Sequence, residues 1–209
     1  MTFLVEFARS PLIVGAVAPS GRSLAEVVTA PVPRTGDPLV VELGPGTGSF
    51  TAAIQRRLAG RGRHVAVEIN PRFAARLSRA HPGVEVVAAD ARDLSSLVER
   101  PADVVVSGLP WAAFSPTMQG DALSAIARSL KPGGAFTTFA YVHARWAPPA
   151  RRLLRSLRSH FDEVVVGRTV WANLPPALVY HCRTPLLPPY DSTSASTTRA
   201  ASASATSSG

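Results

Sequence analysis

The sequence predicts an α/β fold in which a mostly parallel sheet ends in an antiparallel hairpin. Strand-like apolar runs alternate with helix-like segments along most of the 209 residues. Strands separated by helices form parallel sheets with right-handed crossovers. A glycine-rich turn joins the first strand to the first helix of this series. Beyond about residue 160 the helices stop, so the last two strands have to pair directly with each other.

The alternation assigns each element in turn. We expect strands at residues 38–43, 63–68, 84–88, 102–107 and 134–141. We expect the intervening helices at residues 49–60, 71–80, 119–130 and 148–159. Residues 161–170 and 177–182 are two further strand-like runs, and the connection between them is too short for a helix. The elements together predict a seven-stranded sheet that closes in a hairpin, within one domain at residues 38–184.

Residues 1–37 are expected to form an N-terminal helical segment. One amphipathic helix is predicted at residues 2–9, and Ser20 is a suitable N-cap for a second helix at about 22–30. The apolar faces of these helices can be buried against the sheet or can lie on a membrane surface, and the sequence leaves both alternatives open.

Residues 185–209 have a different composition from the rest of the chain. After Asp191 this tail is almost entirely Ser, Thr and Ala. Such a segment has too few apolar side chains to offset the entropy lost on ordering, so we expect it to be disordered.

Composition narrows the classes of protein to consider. The formal net charge is +8, from 22 basic and 14 acidic residues, which favours anionic partners such as an acidic membrane face. No apolar run approaches the length of a membrane-spanning helix, and no secretory leader is evident. The one cysteine, Cys182, excludes an intrachain disulfide and a cysteine-cluster metal site. We therefore expect a cytoplasmic protein without a metal, able to associate peripherally with a membrane.

The most informative motif is the turn after the first strand. Gly44, Gly46 and Gly48 alternate with other residues, and Glu42 precedes the first of them by two positions. Glycines at a strand-to-helix turn let the backbone approach a ligand closely. A second acid, Glu68, ends the next strand 22 residues after Gly46, where a carboxylate can accept hydrogen bonds from ribose hydroxyls.

Two classes of cofactor use a glycine turn of this kind. Dinucleotide enzymes need the spacing GxGxxG, which brings the pyrophosphate to the helix N-terminus. Here the spacing is GxGxG, and the preceding acid would repel a pyrophosphate but could orient the ammonium of an amino acid. The combination resembles the S-adenosylmethionine (SAM) loop of class I methyltransferases.

The later strand ends carry further candidate ligand-binding residues. Ile69 follows Glu68, and the third strand ends near Asp90 and Ala91. Asp90 could accept the exocyclic amine of an adenine while the Ala91 N–H reaches a ring nitrogen; the alternative is an ordinary helix cap.

The fourth strand ends at Ser107, followed by Gly108, Leu109 and the pair Pro110-Trp111. Backbone carbonyls at this point could accept hydrogen bonds from an amine, and a Trp face suits a cation. Core packing is the alternative for Trp111, since Trp is buried so often.

The last strand ends and the hairpin loop supply the remaining candidates. Tyr141 could bind the acceptor, whereas a lone His143 is more often structural. The loop at 170–177 contains Asn173 and is expected to fold over the acceptor pocket. A basic face on the helix at 148–159 is most simply a solvated surface.

Five motifs, at residues 3–20, 42–48, 107–110, 139–141 and 170–177, are together similar to those of one family. They resemble the bacterial phospholipid N-methyltransferases of the soluble, peripheral type, which are relatives of the rRNA adenine dimethyltransferases. The resemblance covers residues 3–183. It implies SAM-dependent methylation of phosphatidylethanolamine or a related amino-lipid headgroup at the membrane surface.

The resemblance also implies roles for individual residues. SAM is expected to be bound by Glu42, Gly44, Gly46, Glu68 and Asp90. The predicted cofactor site further includes Ser20, Gly48, Ile69, Ala91 and Ser107. The acceptor is expected to contact Ser107, Gly108, Leu109, Tyr141 and Asn173. Trp111 is added to this set from its position after the fourth strand.

Three other functions compete with lipid methylation. A SAM enzyme could act on a soluble small molecule. An rRNA adenine methyltransferase would carry Asn-Leu-Pro-aromatic after the fourth strand, where this chain has Gly108, and a further RNA-binding domain. Nucleic acid is therefore not the expected partner. A scaffold without turnover predicts eroded glycine and acid positions, but these positions are intact.

Overall fold

A computed structural model of the chain describes residues 21–186, which form one seven-stranded sheet covered by helices. The strands are β1 (Leu39–Leu43), β2 (Arg63–Val67), β3 (Glu85–Val87), β4 (Ala102–Ser107), β5 (Leu130–Tyr141), β6 (Phe161–Val166) and β7 (Ala177–Pro185). Their order across the sheet is β3-β2-β1-β4-β5-β7-β6. β7 runs antiparallel to both β5 and β6, and the pairs from β3 to β5 are parallel. The predicted mostly parallel sheet with a closing hairpin is confirmed.

The helices lie on both faces of this sheet. They are α1 (Arg22–Val28), α2 (Ser49–Leu58), α3 (Pro71–Ala80), α4 (Leu94–Leu97), α5 (Pro116–Ser129) and α6 (Pro148–His160). Helices α1, α2 and α3 pack on one face, and α4, α5 and α6 pack on the other. Three 3₁₀ turns, at Ala91–Asp93, Trp111–Ala113 and Val142–Ala144, follow the carboxyl ends of β3, β4 and β5.

β1 is the most enclosed strand of the sheet. All five of its residues are buried, and alternate side chains enter the apolar clusters on opposite faces. Val41 and Leu43 point towards α5, whereas Val40 points towards α1 and α2. A parallel strand covered on both faces reads as a continuous apolar run, so the one charged residue within it, Glu42, needs partners inside the protein.

Several element boundaries differ from the sequence predictions. Helix α5 begins at Pro116, three residues before the expected start, because the Oγ of Ser115 caps it by accepting the Met118 N–H at 3.2 Å. Strand β6 ends at Val166 and not at 170, because Val170 forms only an isolated bridge to Ala177.

The first described helix also begins at a different N-cap from the one expected. The N-cap of α1 is Gly21 and not Ser20, and the helix ends at Val28, before the expected residue 30. Ser20, the predicted helix at 2–9 and residues 187–209 of the predicted tail lie outside the described residues.

Helix α1 packs against the sheet and is held at both of its ends. Leu24 and Val28 are fully buried beside α2. At its start the Gly21 N–H donates to Oδ1 of Asn173 at 2.7 Å, and at its end the Val28 carbonyl accepts from the Thr137 hydroxyl at 2.8 Å. For this helix, burial against the sheet is the arrangement that the structure shows.

Within residues 21–186, none of the helices has both the length and the apolar character needed to cross a bilayer.

We predict that α1 unfolds together with the sheet. Replacing Leu24, which is fully buried, by alanine should lower the free energy of unfolding by about 2–5 kcal/mol and preserve a single transition. Urea unfolding followed by circular dichroism measures this quantity. The control is Glu26→Ala, which removes a half-exposed carboxylate of the same helix and its ion pairs to Arg56 and Arg57, and should cost no more than about 1 kcal/mol. Two separate transitions in the Leu24→Ala protein would contradict the prediction.

Candidate active site

The candidate site lies at the carboxyl end of β1, the point in the sheet at which the order of the strands reverses. β1 lies between β2 on one side and β4 on the other. The Gly44 N–H donates to the Val67 carbonyl at 2.9 Å, and the Gly108 N–H donates to the Leu43 carbonyl at 2.8 Å. The loops after β1 and β4 therefore open a crevice between them, which is the place where open α/β sheets bind ligands.

Two glycines let these loops come into contact. A Cβ atom placed on Gly108 would lie 2.7 Å from the carbonyl oxygen of Gly44, so a side chain there would force the backbones apart. Gly46 is different, because no heavy atom lies within 4 Å of the corresponding position and its φ is +54°. Gly44 and Gly108 thus close the base of the crevice, and Gly46 leaves open space above it. Gly48, in contrast, is the N-cap of α2 and faces His81, the C-cap residue of α3.

Glu42 lies beneath the glycine loop and is completely buried. The Thr51 hydroxyl in the first turn of α2 donates to its Oε2 at 2.7 Å. Nε2 of His64 lies 3.2 Å from the same oxygen, and the His64 Nδ1 is 3.0 Å from the Gln55 side-chain amide. The other oxygen, Oε1, has no hydrogen-bond partner among residues 21–186. Glu42 therefore fixes the helix to the strand and keeps one buried acceptor unsatisfied.

Glu68 follows β2 and holds the glycine loop from the side. Its Oε1 accepts the Asn70 N–H at 2.9 Å, and its Oε2 accepts the Gly46 N–H in a longer bond of 3.4 Å. Burial raises the pKa of this carboxyl group, the charge of Glu42 adds to the effect, and the two backbone N–H groups oppose it. Because the bond from the Gly46 N–H is long, the carboxylate can exchange it for a hydroxyl donor of a ligand.

Asp90 forms the helix cap that the sequence analysis considered as the alternative to adenine binding. It is the N-cap of the 3₁₀ turn, where its Oδ1 accepts the Arg92 N–H at 2.9 Å and its Oδ2 pairs with the Arg92 guanidinium at 2.8 Å. Partial burial opposes ionisation of Asp90, but the hydrogen bonds and charge of Arg92 outweigh it and lower its pKa. Asp90 and Ala91 follow β3, and Ile69, beside Glu68, packs against the same apolar cluster as Ala91.

Trp111 does not face the crevice, in contrast to the sequence expectation. Only 3% of it is exposed, and its ring packs on Phe114 and Phe136 with centroid separations of 5.3 and 6.3 Å. These rings cover the indole, so its face is not available to a cationic amine. Its Nε1 donates instead to the Thr138 hydroxyl at 2.8 Å.

This hydrogen bond supports the loop after β4. The Thr138 hydroxyl donates onward to the Ser107 carbonyl at 3.3 Å, and the Ser107 Oγ accepts the Leu109 N–H at 3.2 Å. Trp111 therefore positions the Ser107–Leu109 backbone from inside the core.

Tyr141 and Asn173 lie at the far end of the same sheet edge. Tyr141 ends β5, where its ring stacks on His143 at 5.8 Å, and burial raises its pKa. Asn173 is 97% buried, and both ends of its amide are used by backbone groups: Oδ1 accepts from Gly21, and Nδ2 donates to the Pro175 carbonyl at 2.6 Å. Asn173 thus ties the hairpin loop to α1.

The structure brings together the glycine loop, Glu42, Glu68, Ser107, Gly108 and Leu109 at the switch point. It adds Thr51, His64 and Thr138, which the sequence analysis did not identify. None of the three belongs to a recognisable motif; their positions follow from strand register and from the first turn of α2. Of the three, only Thr51 could have been suspected from the sequence, since it lies nine residues after Glu42, on the helix that follows the glycine loop.

A sheet of this order, with an acid followed by a GxGxG loop at its switch point and a closing hairpin, defines the class I SAM-dependent methyltransferases. Comparisons with known proteins agree with this class. A family model described as a methyltransferase domain matches residues 40–134. The crystal structure of the N-methyltransferase NodS from Bradyrhizobium japonicum WM9 with S-adenosylhomocysteine has a TM-score of 0.63, at 16% identity, covering 87% of this chain and 96% of that one.

Two sequence relatives are more similar. The ornithine lipid N-methyltransferase of Singulisphaera acidiphila is 33% identical over 192 residues, which cover 87% of this chain and 94% of the relative. The ribosomal RNA small subunit methyltransferase A of Kineococcus radiotolerans is 38% identical over 127 residues, which cover 56% of this chain but 40% of the relative.

The chain belongs to the bacterial phospholipid N-methyltransferase family of class I SAM-dependent methyltransferases, as its motifs predicted. It is an enzyme, and its cofactor is SAM.

We predict that the contact between Gly44 and Gly108 is needed for cofactor binding. Gly108→Ala places a Cβ against the Gly44 carbonyl, so the glycine loop has to shift, and SAM affinity should fall at least about tenfold. Isothermal titration calorimetry measures this affinity. Gly120→Ala is the matched control, because Gly120 lies in α5 with open space around it. The control should stabilise the protein by about 0.5–1 kcal/mol with unchanged SAM affinity. Equal affinities in both variants would contradict the prediction.

We also predict a pH dependence that originates in Glu68. Because its pKa is raised in the folded state, ionisation costs stability. The stabilising effect of the protonated form is fully present below the unfolded pKa of about 4.3 and is lost as pH rises through the folded value. Relative to Glu68→Gln, the wild-type protein should therefore lose stability from about pH 4 upwards. Thermal unfolding of both proteins from pH 4 to 8 tests this; parallel curves would exclude it.

Proposed function

We propose that this methyltransferase acts on the amine of an amino-lipid headgroup, of the phosphatidylethanolamine or ornithine-lipid kind. The observation that carries the proposal is the similarity to the ornithine lipid N-methyltransferase, which extends over 94% of that relative. The motifs of the phospholipid N-methyltransferases extend over the same part of the chain. The positive net charge of +8 supports an acceptor carried on an anionic surface.

We assign cofactor binding to the crevice between the loops after β1 and β4. Glu68 would accept the ribose hydroxyls, for which it exchanges its 3.4 Å bond from the Gly46 N–H. The open space beside Gly46 would admit the amino-acid part of the cofactor. The unpartnered Oε1 of buried Glu42 is an acceptor that a ligand ammonium could satisfy, directly or through water.

The adenine would lie between the loops after β2 and β3. Ile69 and Ala91 supply apolar contact there, and the Ala91 N–H is available as a donor. Because Arg92 occupies both oxygens of Asp90, that carboxylate would have to share its hydrogen bonds with the adenine amine.

The acceptor amine is assigned to the backbone after β4. Bound SAM supplies an electrophilic methyl group on a sulfonium. The Gly108 carbonyl can accept a hydrogen bond from the amine and orient its lone pair, on a backbone that the Trp111–Thr138 bond holds in place. The carbonyls of Ser107 and Leu109 already accept the Thr138 hydroxyl and the Trp111 N–H, and would have to share these bonds with the amine. Tyr141 lies at the end of the neighbouring strand β5 and would contact the headgroup.

This assignment requires little from acid–base groups. An amine attacks only when it is neutral, so turnover should rise with pH towards the pKa of the amine itself. The site residues then act by placement and by excluding water.

We predict that Tyr141 contributes to binding of the acceptor and not to binding of the cofactor. Tyr141→Phe should lower kcat/KM for the lipid about tenfold while the Kd of SAM stays unchanged. Tyr180→Phe is the control, since Tyr180 lies on the other face of the hairpin in the core behind α6, away from the crevice. A loss of SAM affinity in Tyr141→Phe would move this residue into the cofactor site.

The acceptor class is tested by incubating the enzyme with methyl-labelled SAM and one of four acceptors. These are phosphatidylethanolamine in detergent, ornithine lipid in detergent, a soluble metabolite extract, and rRNA. Label in either lipid, increasing with pH, is expected. Label in the metabolite extract alone would establish the small-molecule alternative. Label in rRNA alone would establish the activity named for the Kineococcus radiotolerans relative.

A further inference from the structure

Three large apolar side chains stand exposed at one edge of the molecule. Trp146 is 73% exposed, Trp171 is 74% exposed and Leu174 is 82% exposed. Exposing one such residue is ordinary, but two exposed tryptophans and an exposed leucine on neighbouring loops are a concentration of apolar surface that calls for a partner. We call these three residues the rim patch.

The two loops that carry the rim patch are hydrogen-bonded neighbours. Tyr141 at the end of β5 pairs with Ala177 at the start of β7, and the Val142 N–H donates to the Pro176 carbonyl at 2.9 Å. Trp146 follows four residues after Val142, whereas Leu174 and Trp171 precede Pro176 by two and five residues. The patch therefore lies at the edge where β1, β4 and β5 end, which is the edge of the crevice.

The charge around the patch has one sign. Residues 142–155 and 167–176 contain no acidic residue but include five arginines. Four of these arginines have exposed side chains and form no ion pair within residues 21–186: Arg145, Arg151, Arg155 and Arg168. The Arg145 guanidinium lies 4.5 Å from the centroid of the Trp146 ring, so a cation covers part of the exposed indole.

We propose that the rim patch is a docking surface for an anionic phospholipid bilayer, with Trp146, Trp171 and Leu174 inserted among the headgroups and the four arginines paired with lipid phosphates. This inference rests on the proposed action on a lipid headgroup and specifies how the crevice meets the lipid. Tryptophan favours the interface between water and lipid because its ring is apolar and its N–H is polar. Basic residues near an anionic surface add electrostatic attraction that salt weakens.

The location supports a bilayer over other partners. A headgroup amine reaches the Ser107–Leu109 backbone only if the mouth of the crevice faces the membrane, and the rim patch is next to that mouth. Because α6 begins at Pro148, two residues after Trp146, Arg151 and Arg155 lie in its first two turns beside the patch. The apolar and basic groups thus share one side of the protein.

The test measures binding of the full-length protein to vesicles that contain no transferable amine, made of phosphatidylglycerol and phosphatidylcholine. Co-sedimentation at low salt should show binding that decreases with added salt and with decreasing phosphatidylglycerol. The variant Trp146→Ala/Trp171→Ala/Leu174→Ser should bind at least about tenfold more weakly. Because the three side chains are exposed, its thermal stability should remain close to that of the wild type.

Two matched controls separate docking from bulk properties. Arg145→Glu/Arg151→Glu should reduce binding much more than Arg34→Glu/Arg61→Glu, which changes the net charge equally but away from the rim patch. Leu186→Ser removes an exposed apolar side chain beside His160, at the opposite edge of the sheet, and should leave binding unchanged.

Tryptophan fluorescence identifies the contact directly. Trp111 is buried, so added lipid should affect only Trp146 and Trp171. Vesicles with brominated acyl chains should quench the wild-type emission, and acrylamide should quench these residues in the protein without lipid. Absence of quenching by brominated lipid would overturn the proposal. So would protection from acrylamide without lipid, because another part of the chain would then cover the patch.

Two further outcomes would also overturn the docking surface. One is unchanged vesicle binding in the rim variant. The other is a dimer, seen by analytical ultracentrifugation, that the rim substitutions abolish. Failure of the docking surface is distinguishable from failure of the proposed function. Methylation of lipid in detergent without vesicle binding would reject only the surface, whereas vesicle binding without any lipid methylation would reject only the function.

Discussion

The close contact between two backbone turns at the end of β1 is the constraint on which the site depends. Gly44 and Gly108 lie so near each other that a single Cβ atom on Gly108 would meet the Gly44 carbonyl. The contact sets the distance between the loops after β1 and β4, and hence the distance between the crevice proposed for the cofactor and the backbone proposed for the acceptor. Methyl transfer depends on close, in-line placement of the reacting atoms, and a misplacement of about 1 Å can cost about 100-fold in rate.

Several buried residues hold that geometry from inside the protein. Trp111 and Thr138 hold the Ser107 carbonyl from within the core. Thr51 fixes α2 to Glu42, and Asn173 fixes the hairpin loop to α1. Such buried hydrogen bonds contribute about 1 kcal/mol each to stability, but leaving one partner unsatisfied costs more. Some residues in the motifs of the family therefore hold the loops of the site in place.

Electrostatics divides the molecule into two regions. In the crevice the acids are buried, and Glu68 tolerates its position because backbone N–H groups partly offset the cost of burial. At the rim the arginines are exposed and the acids are missing from the adjoining loops. The first arrangement suits a cofactor that carries hydroxyls and an ammonium, and the second suits a negatively charged surface. Both lie at the same edge of the sheet because parallel strands end together.

The sequence by itself determined the order of strands and helices, the closing hairpin and the set of residues at the strand ends. Hydrophobic periodicity and the spacing of glycines and acids are local properties, and local properties are legible along the chain. Only the tertiary structure decided where the side chains point. It placed Trp111 in the core, paired Asp90 with Arg92, gave both ends of the Asn173 amide to the backbone, and left Trp146 and Trp171 exposed. Burial depends on which distant elements pack against a residue, and no local pattern carries that information.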